Sequence, residues 1–102
     1  MVTFIQDEAT LTLMDNREIL KAHGFFENHT RLIWINRSRR IAFTEDVIDD
    51  HDRRWLESKL LEDIPEGEFR LHSNRPLAPK VCMEILDELG LSNLLPVNPS
   101  RP

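Results

Sequence analysis

Four arginines in a stretch that holds no carboxylate are the residues of this chain best suited to recognition chemistry. Arg31, Arg37, Arg39 and Arg40 fall in a stretch from Asn28 to Thr44 that holds no Asp or Glu, and the next eight residues hold five carboxylates: Glu45, Asp46, Asp49, Asp50 and Asp52. A guanidinium is a planar, permanently charged fork that grips a carboxylate or phosphate with two parallel hydrogen bonds. The chemistry implied is docking of an acidic partner, with the acidic run as a complementary patch. That run raises two other readings, a hard-metal site and a pair of acid–base carboxylates. Asp49-Asp50-His51-Asp52 lacks the alternating ligands, sharp-turn glycine and terminal Glu of a calcium loop. On a helix adjacent residues point ~100° apart, so these four do not converge and no metal is expected. A helix start whose carboxylates complement the dipole explains the run.

Other catalytic patterns are missing. The three glycines, Gly24, Gly67 and Gly90, each stand where a helix end or turn needs one. No loop is left to bring backbone amides against a nucleotide phosphate. No Gly-x-Ser-x-Gly elbow occurs, no two of His23, His29, His51 and His72 are four residues apart, and there is no tyrosine. The single Cys82 excludes an internal disulfide and a Cys-based zinc site. It falls on an apolar stripe, where cysteine acts as a small apolar residue. No cofactor is expected. An enzyme built on acidic residues near 49–52 ranks third among the functional readings.

The arginines are positioned by a predicted β-hairpin over 31–44. A turn at Arg37-Ser38 aligns Trp34 with Ile41 and Leu32 with Phe43, so one face is wholly apolar. The other face, with Ile33, Ile35, Arg40 and Ala42, is half covered. Before the hairpin, Asp15 and Glu18 have the spacing of a capped helix start, Gly24 closes that helix and Phe25 folds back on it. After the hairpin a helix starts between Glu45 and Asp50 and runs to about Glu62, burying Trp55, Leu56, Leu60, Leu61 and Ile64. Phe69 and Leu71 alternate with Glu68, Arg70 and His72 as in a strand with one wet face. In the last helix Ala78, Val81, Cys82, Ile85, Leu86 and Leu89 share one side, and Gly90 ends it. Val2–Ile5 and Thr10–Met14 read as strands. From Pro96 the chain reads as a loose tail with a Pro96-x-x-Pro99-x-Arg101 pattern.

With 102 residues, 40% hydrophobic and 30% charged, the chain is expected to be one globular domain over 1–95 with a flexible tail over 96–102. The predicted fold is a two-layer α+β domain: a small antiparallel sheet centred on the 31–44 hairpin, with helices packed on one face. The last helix and the Trp55 helix are expected to cover Leu32, Trp34, Ile41 and Phe43. The longest apolar runs, such as Leu32 to Ile35, fall far short of the ~20 residues that span a bilayer. Asp7 and Glu8 interrupt any apolar signal sequence. No membrane role and a cytoplasmic location are expected.

The expected function is that of a small non-catalytic binding or regulatory module acting through protein–protein contacts. Arg31, Arg37, Arg39, Arg40, Asp49, Asp50 and Asp52 are its candidate partner-binding residues. A homodimer is a natural variant, since a two-fold axis sets each basic patch against the other acidic one. The alternative is a nucleic-acid-binding accessory protein using the same arginines. Against it stand the net charge of −5, the acidic neighbours and the few counterions that four arginines release.

Overall fold

The computed structural model describes residues 15–99. In chain order these form α1 (Asn16–Ala22), β1 (Phe26–Asn28), β2 (Ile33–Asn36), β3 (Ile41–Thr44), α2 (Glu45–Asp50), α3 (Arg53–Leu60), β4 (Glu68–His72), α4 (Pro79–Glu88) and β5 (Leu95–Val97). The expected strands at Val2–Ile5 and Thr10–Met14 lie outside the described residues, as does Arg101. None of the described helices is long and apolar enough to cross a membrane.

The Asp15 carboxylate accepts the Arg17 amide at 2.9 Å and starts α1. Gly24, at φ +83°, ends it. The Phe25 and Gly24 amides then return to the carbonyls of Leu20 and Lys21, both at 3.0 Å, and Phe25 packs into the core.

The hairpin is the centre of the sheet, as expected, but its register differs. Trp34 pairs with Phe43 and Asn36 with Ile41, so the turn is the four residues Arg37–Arg40. The side chain of Asn36 decides this. Its Oδ1 accepts the Ser38 hydroxyl and the Arg39 amide, both at 3.0 Å, and Arg40 closes the loop at φ +60°. The shift is by two residues, so Trp34, Ile41 and Phe43 keep a common face. Leu32 does not join them. At φ +57° it ends the β1–β2 connection, leaves the strand alternation and is 60% exposed.

The domain is α+β with a mixed sheet of order β1-β2-β3-β4-β5. The first three strands are antiparallel, and β3, β4 and β5 run parallel. Helices α1–α3 cover the face carrying Trp34, Ile41 and Phe43. The last helix, expected on that same face, lies on the other. Cys82, Ile85 and Leu86 of α4 pack on Ile33, Ile35, Ala42, Phe69 and Leu71. The reason is that β2 is buried at all four residues and β3 at Ile41, Ala42 and Phe43. Such strands need cover on both sides. Full burial of a large apolar side chain contributes roughly 1.5–3 kcal/mol, and Trp34 and Phe69 make that gain on opposite faces. Because β3, β4 and β5 are parallel and in sequence order, crossovers on opposite faces have opposite hands. One of the two therefore departs from the usual right-handed rule.

Three further corrections follow from local bonding. The helix expected to run to about Glu62 is two helices. The Asn16 amide donates to the carbonyls of Ile48 and His51 at 3.1 and 2.9 Å, ending α2, and Asp52 accepts the Trp55 amide at 2.9 Å to start α3. Leu61, just past α3, is exposed. The segment from Pro96 is not loose at its start, since Leu95–Val97 pairs with Glu68–Arg70 as β5. Finally, His72 faces the core. It is 4% exposed, stacks on Phe43 at 5.1 Å between ring centroids and meets the edge of Trp55 at 5.8 Å.

Burial, with the nearby Lys59 charge, lowers the His72 pKa to about 4, and its Nε2 has no hydrogen-bond partner among the described residues. An unfolded histidine titrates near ~6.5, so between these values the unfolded chain binds more protons. Stability should be full above about pH 6.5 and fall as pH drops towards 4, by roughly 3 kcal/mol at most. Urea denaturation across this range should show the slope in wild type and a smaller one in His72→Phe. An unchanged slope would show that His72 is not its source.

Candidate functional site

The seven charged residues singled out by sequence lie at two ends of the sheet. Arg37, Arg39 and Arg40 form the β2–β3 turn. Arg31 precedes β2 at the other end, where Asp49 and Asp50 close α2 and Asp52 caps α3. The four residues of β3 separate the turn from the acidic run by ~13 Å at the usual rise per residue. That exceeds the Debye length of about 8 Å, so the two runs are not one patch.

The turn arginines face helix C-termini. Arg39 Nη1 donates to the Leu60 carbonyl at the end of α3 at 3.1 Å. Arg40 reaches the chain beyond that helix. Its Nη1 donates to the carbonyls of Pro65 and Glu68 at 2.7 and 3.2 Å, and its Nη2 to that of Ile64 at 3.2 Å. Carbonyls left open past a helix need such donors, and cations complement that end of the dipole. Arg37 points to the other face. Its Nη2 lies 3.8 Å from where a β-carbon would stand on Gly90, just beyond α4. Among the described residues the Arg37 side chain makes no hydrogen bond or ion pair.

At the other end every expected carboxylate has a partner within the chain. Arg17, which the sequence did not single out, organises them. Its Nη2 lies 2.9 Å from Glu45 Oε1 and 2.7 Å from Asp49 Oδ1, and its Nη1 lies 3.2 Å from Asp15. Hydrogen bonds donated to Glu45 and then to Asp49 hold the guanidinium firmly charged. Glu45 also accepts the Trp34 indole N–H at 3.1 Å, tying α1 and α2 to the middle of the sheet. Asp50 accepts from the Asn74 amide. Arg31 pairs with Glu88 at 2.5 Å and Glu84 at 3.6 Å on α4, and these carboxylates hold it in the charged form. Among the described residues no three His, Cys, Asp or Glu side chains gather as a metal would require. Cys82 is buried, and burial raises its pKa, which keeps the thiol protonated.

Sequence reasoning passed over an apolar residue beside Arg37. Phe26, on edge strand β1, is 76% exposed, and with Arg37 and Leu91 it lines a groove of about 430 Å³. An alternating strand pattern would have marked Phe26, but β1 has only three residues and no such pattern. Among the described residues the groove offers a sheet edge with no further strand on it, an aromatic surface and one cation with open donors. No known protein family, curated protein or solved structure matches the chain.

The turn arginines should separate in denaturation. Arg40→Ala removes three bonds from a charged donor, at a cost of roughly 1–3 kcal/mol, whereas Arg37→Ala should change stability by less than ~0.5 kcal/mol. Equal urea midpoints for the two variants would show that the Arg40 bonds add nothing.

Proposed function

We propose that this protein is a non-catalytic binding module whose partner is another protein, docked as an extended segment along β1. The observation behind this reading is Phe26, 76% exposed on an edge strand and beside Arg37, the turn arginine with no bond inside the described chain. Strand addition draws affinity from main-chain hydrogen bonds and specificity from alternate side chains. Here an apolar side chain of the partner covers Phe26 and Leu91, and an acidic one reaches Arg37. The other sheet edge is less suited, since Pro96 in the middle of β5 removes a donor. Of the original partner-binding set, Arg37 carries the docking role in this reading, and Arg31, Arg39 and Arg40 serve the fold. A nucleic-acid partner is less favoured, because one open arginine neutralises few phosphates.

The test is capture from an extract of the native cell, with and without nuclease treatment, run on four baits. Wild type and Leu61→Asp, altered at an exposed apolar residue on α3's side of the sheet, should retain the same protein. Phe26→Asp and Arg37→Glu should each weaken that retention by about tenfold or more. A bound protein indifferent to both substitutions, or binding lost on nuclease treatment, overturns the proposal.

A further inference from the structure

The loops after β3 and β4 leave the sheet in opposite directions, the first to α2 on one face and the second to α4 on the other. Where connections from neighbouring parallel strands part, a crevice opens at the strand carboxyl ends, and open α/β sheets bind ligands there. In this chain the crevice holds about 470 Å³, within the ~300–1,000 Å³ of small-molecule sites. Thr44 and Asp46 stand on one wall and Ser73 and Arg75 on the other, with Leu32 and Leu77 adding apolar surface.

Its charges reduce to one of each sign. Arg31 is paired with Glu84 and Glu88, while Glu45 and Asp49 are paired with Arg17. Among the described residues the Asp46 carboxylate accepts only from neutral donors, the Thr44 hydroxyl and the Val47 amide at 2.8 Å. The Arg75 guanidinium makes no hydrogen bond or ion pair among the described residues. One anion and one cation thus face the crevice from walls built by different loops. The rim residue Leu32 adds an independent sign. A leucine held at φ +57° and 60% exposed is strained backbone with uncovered apolar surface, and such outliers gather at ligand clamps.

We propose that this crevice binds a small zwitterion, its cationic group on Asp46, its anionic group on Arg75 and its apolar body on Leu32 and Leu77. A cation or an anion alone would leave one crevice charge unmatched. The reading is independent of the β1 groove, which lies at the other end of β2.

Calorimetric titration with ω-amino acids from 4-aminobutanoate to 6-aminohexanoate tests it, with hexanoate and hexylamine as single-charge controls. At least one zwitterion should bind about tenfold or more tightly than either control, and the best chain length reports the spacing of the two charges. Arg75→Ala and Asp46→Asn should each weaken it by about tenfold or more, and both change exposed side chains, so wild-type thermal melts are expected. Phe26→Asp should leave the affinity unchanged, which separates this site from the partner groove. A control that binds as tightly as the zwitterions, affinity untouched by either crevice substitution, or no binding up to about 10 mM overturns the proposal.

Discussion

The central hairpin has no wet face, and most of the architecture is a consequence. Ile33, Trp34, Ile35 and Asn36 of β2 are all buried, as are Ile41, Ala42 and Phe43 of β3. Alternation sends Trp34 and Phe43 to one side of the sheet and Ile35 and Ala42 to the other. Helices on a single face would leave half of these residues in water, at roughly 1.5–3 kcal/mol for each large side chain. The chain meets the constraint by taking its two crossovers over opposite faces. One helical layer comes from α1, α2 and α3, and the other from α4. The opposite handedness of those crossovers and the crevice at the carboxyl ends of β3 and β4 follow from the same choice.

The charged segments follow from where the helices begin and end. The β2–β3 turn lies at the end of the sheet where α3 and α4 stop, so Arg39 and Arg40 meet open carbonyls and Arg37 lies beside Gly90. The far end of β3 is where α2 starts, and its first two residues are Glu45 and Asp46. Basic residues near helix C-termini and acidic ones near N-termini are each favoured by the dipole. The switch from the turn arginines to the carboxylates in the sequence therefore marks passage from one end of the sheet to the other.

Two polar side chains fix the hairpin within this frame. Asn36, 6% exposed, sets the turn through Oδ1 and holds the end of α1 through an Nδ2 bond to the His23 carbonyl at 2.9 Å. Glu45 receives both the Trp34 indole and Arg17, so the first residue of α2 is bound to the sheet and to α1 together. Taking a polar group out of water is costly unless it is hydrogen-bonded. These groups therefore specify register and helix placement where apolar packing alone tolerates slippage. The two proposed binding surfaces lie beyond these anchors at opposite ends of β2, one at Phe26 and Arg37, the other at Arg75 and Asp46.

Local sequence determined the features whose physics is local. The Asp15 cap, the Gly24 and Gly90 helix ends, the apolar stripe of Cys82, Ile85 and Leu86, and the hairpin itself are each legible within a few residues. The shared face of Trp34, Ile41 and Phe43 was legible too, because a register shift of two preserves alternation. Tertiary structure decided the rest. It broke the 45–62 helix through Asn16, set the turn through Asn36, buried His72 beneath Phe43 and drew Leu95–Val97 into the sheet. It also assigned the charges: Arg40 to the carbonyls beyond α3, Arg31 to α4, and Asp49 to Arg17. Periodicity tells which side of an element is apolar. It does not tell which element will cover that side, or which charge a distant segment will bring, since both depend on contacts between residues tens of positions apart.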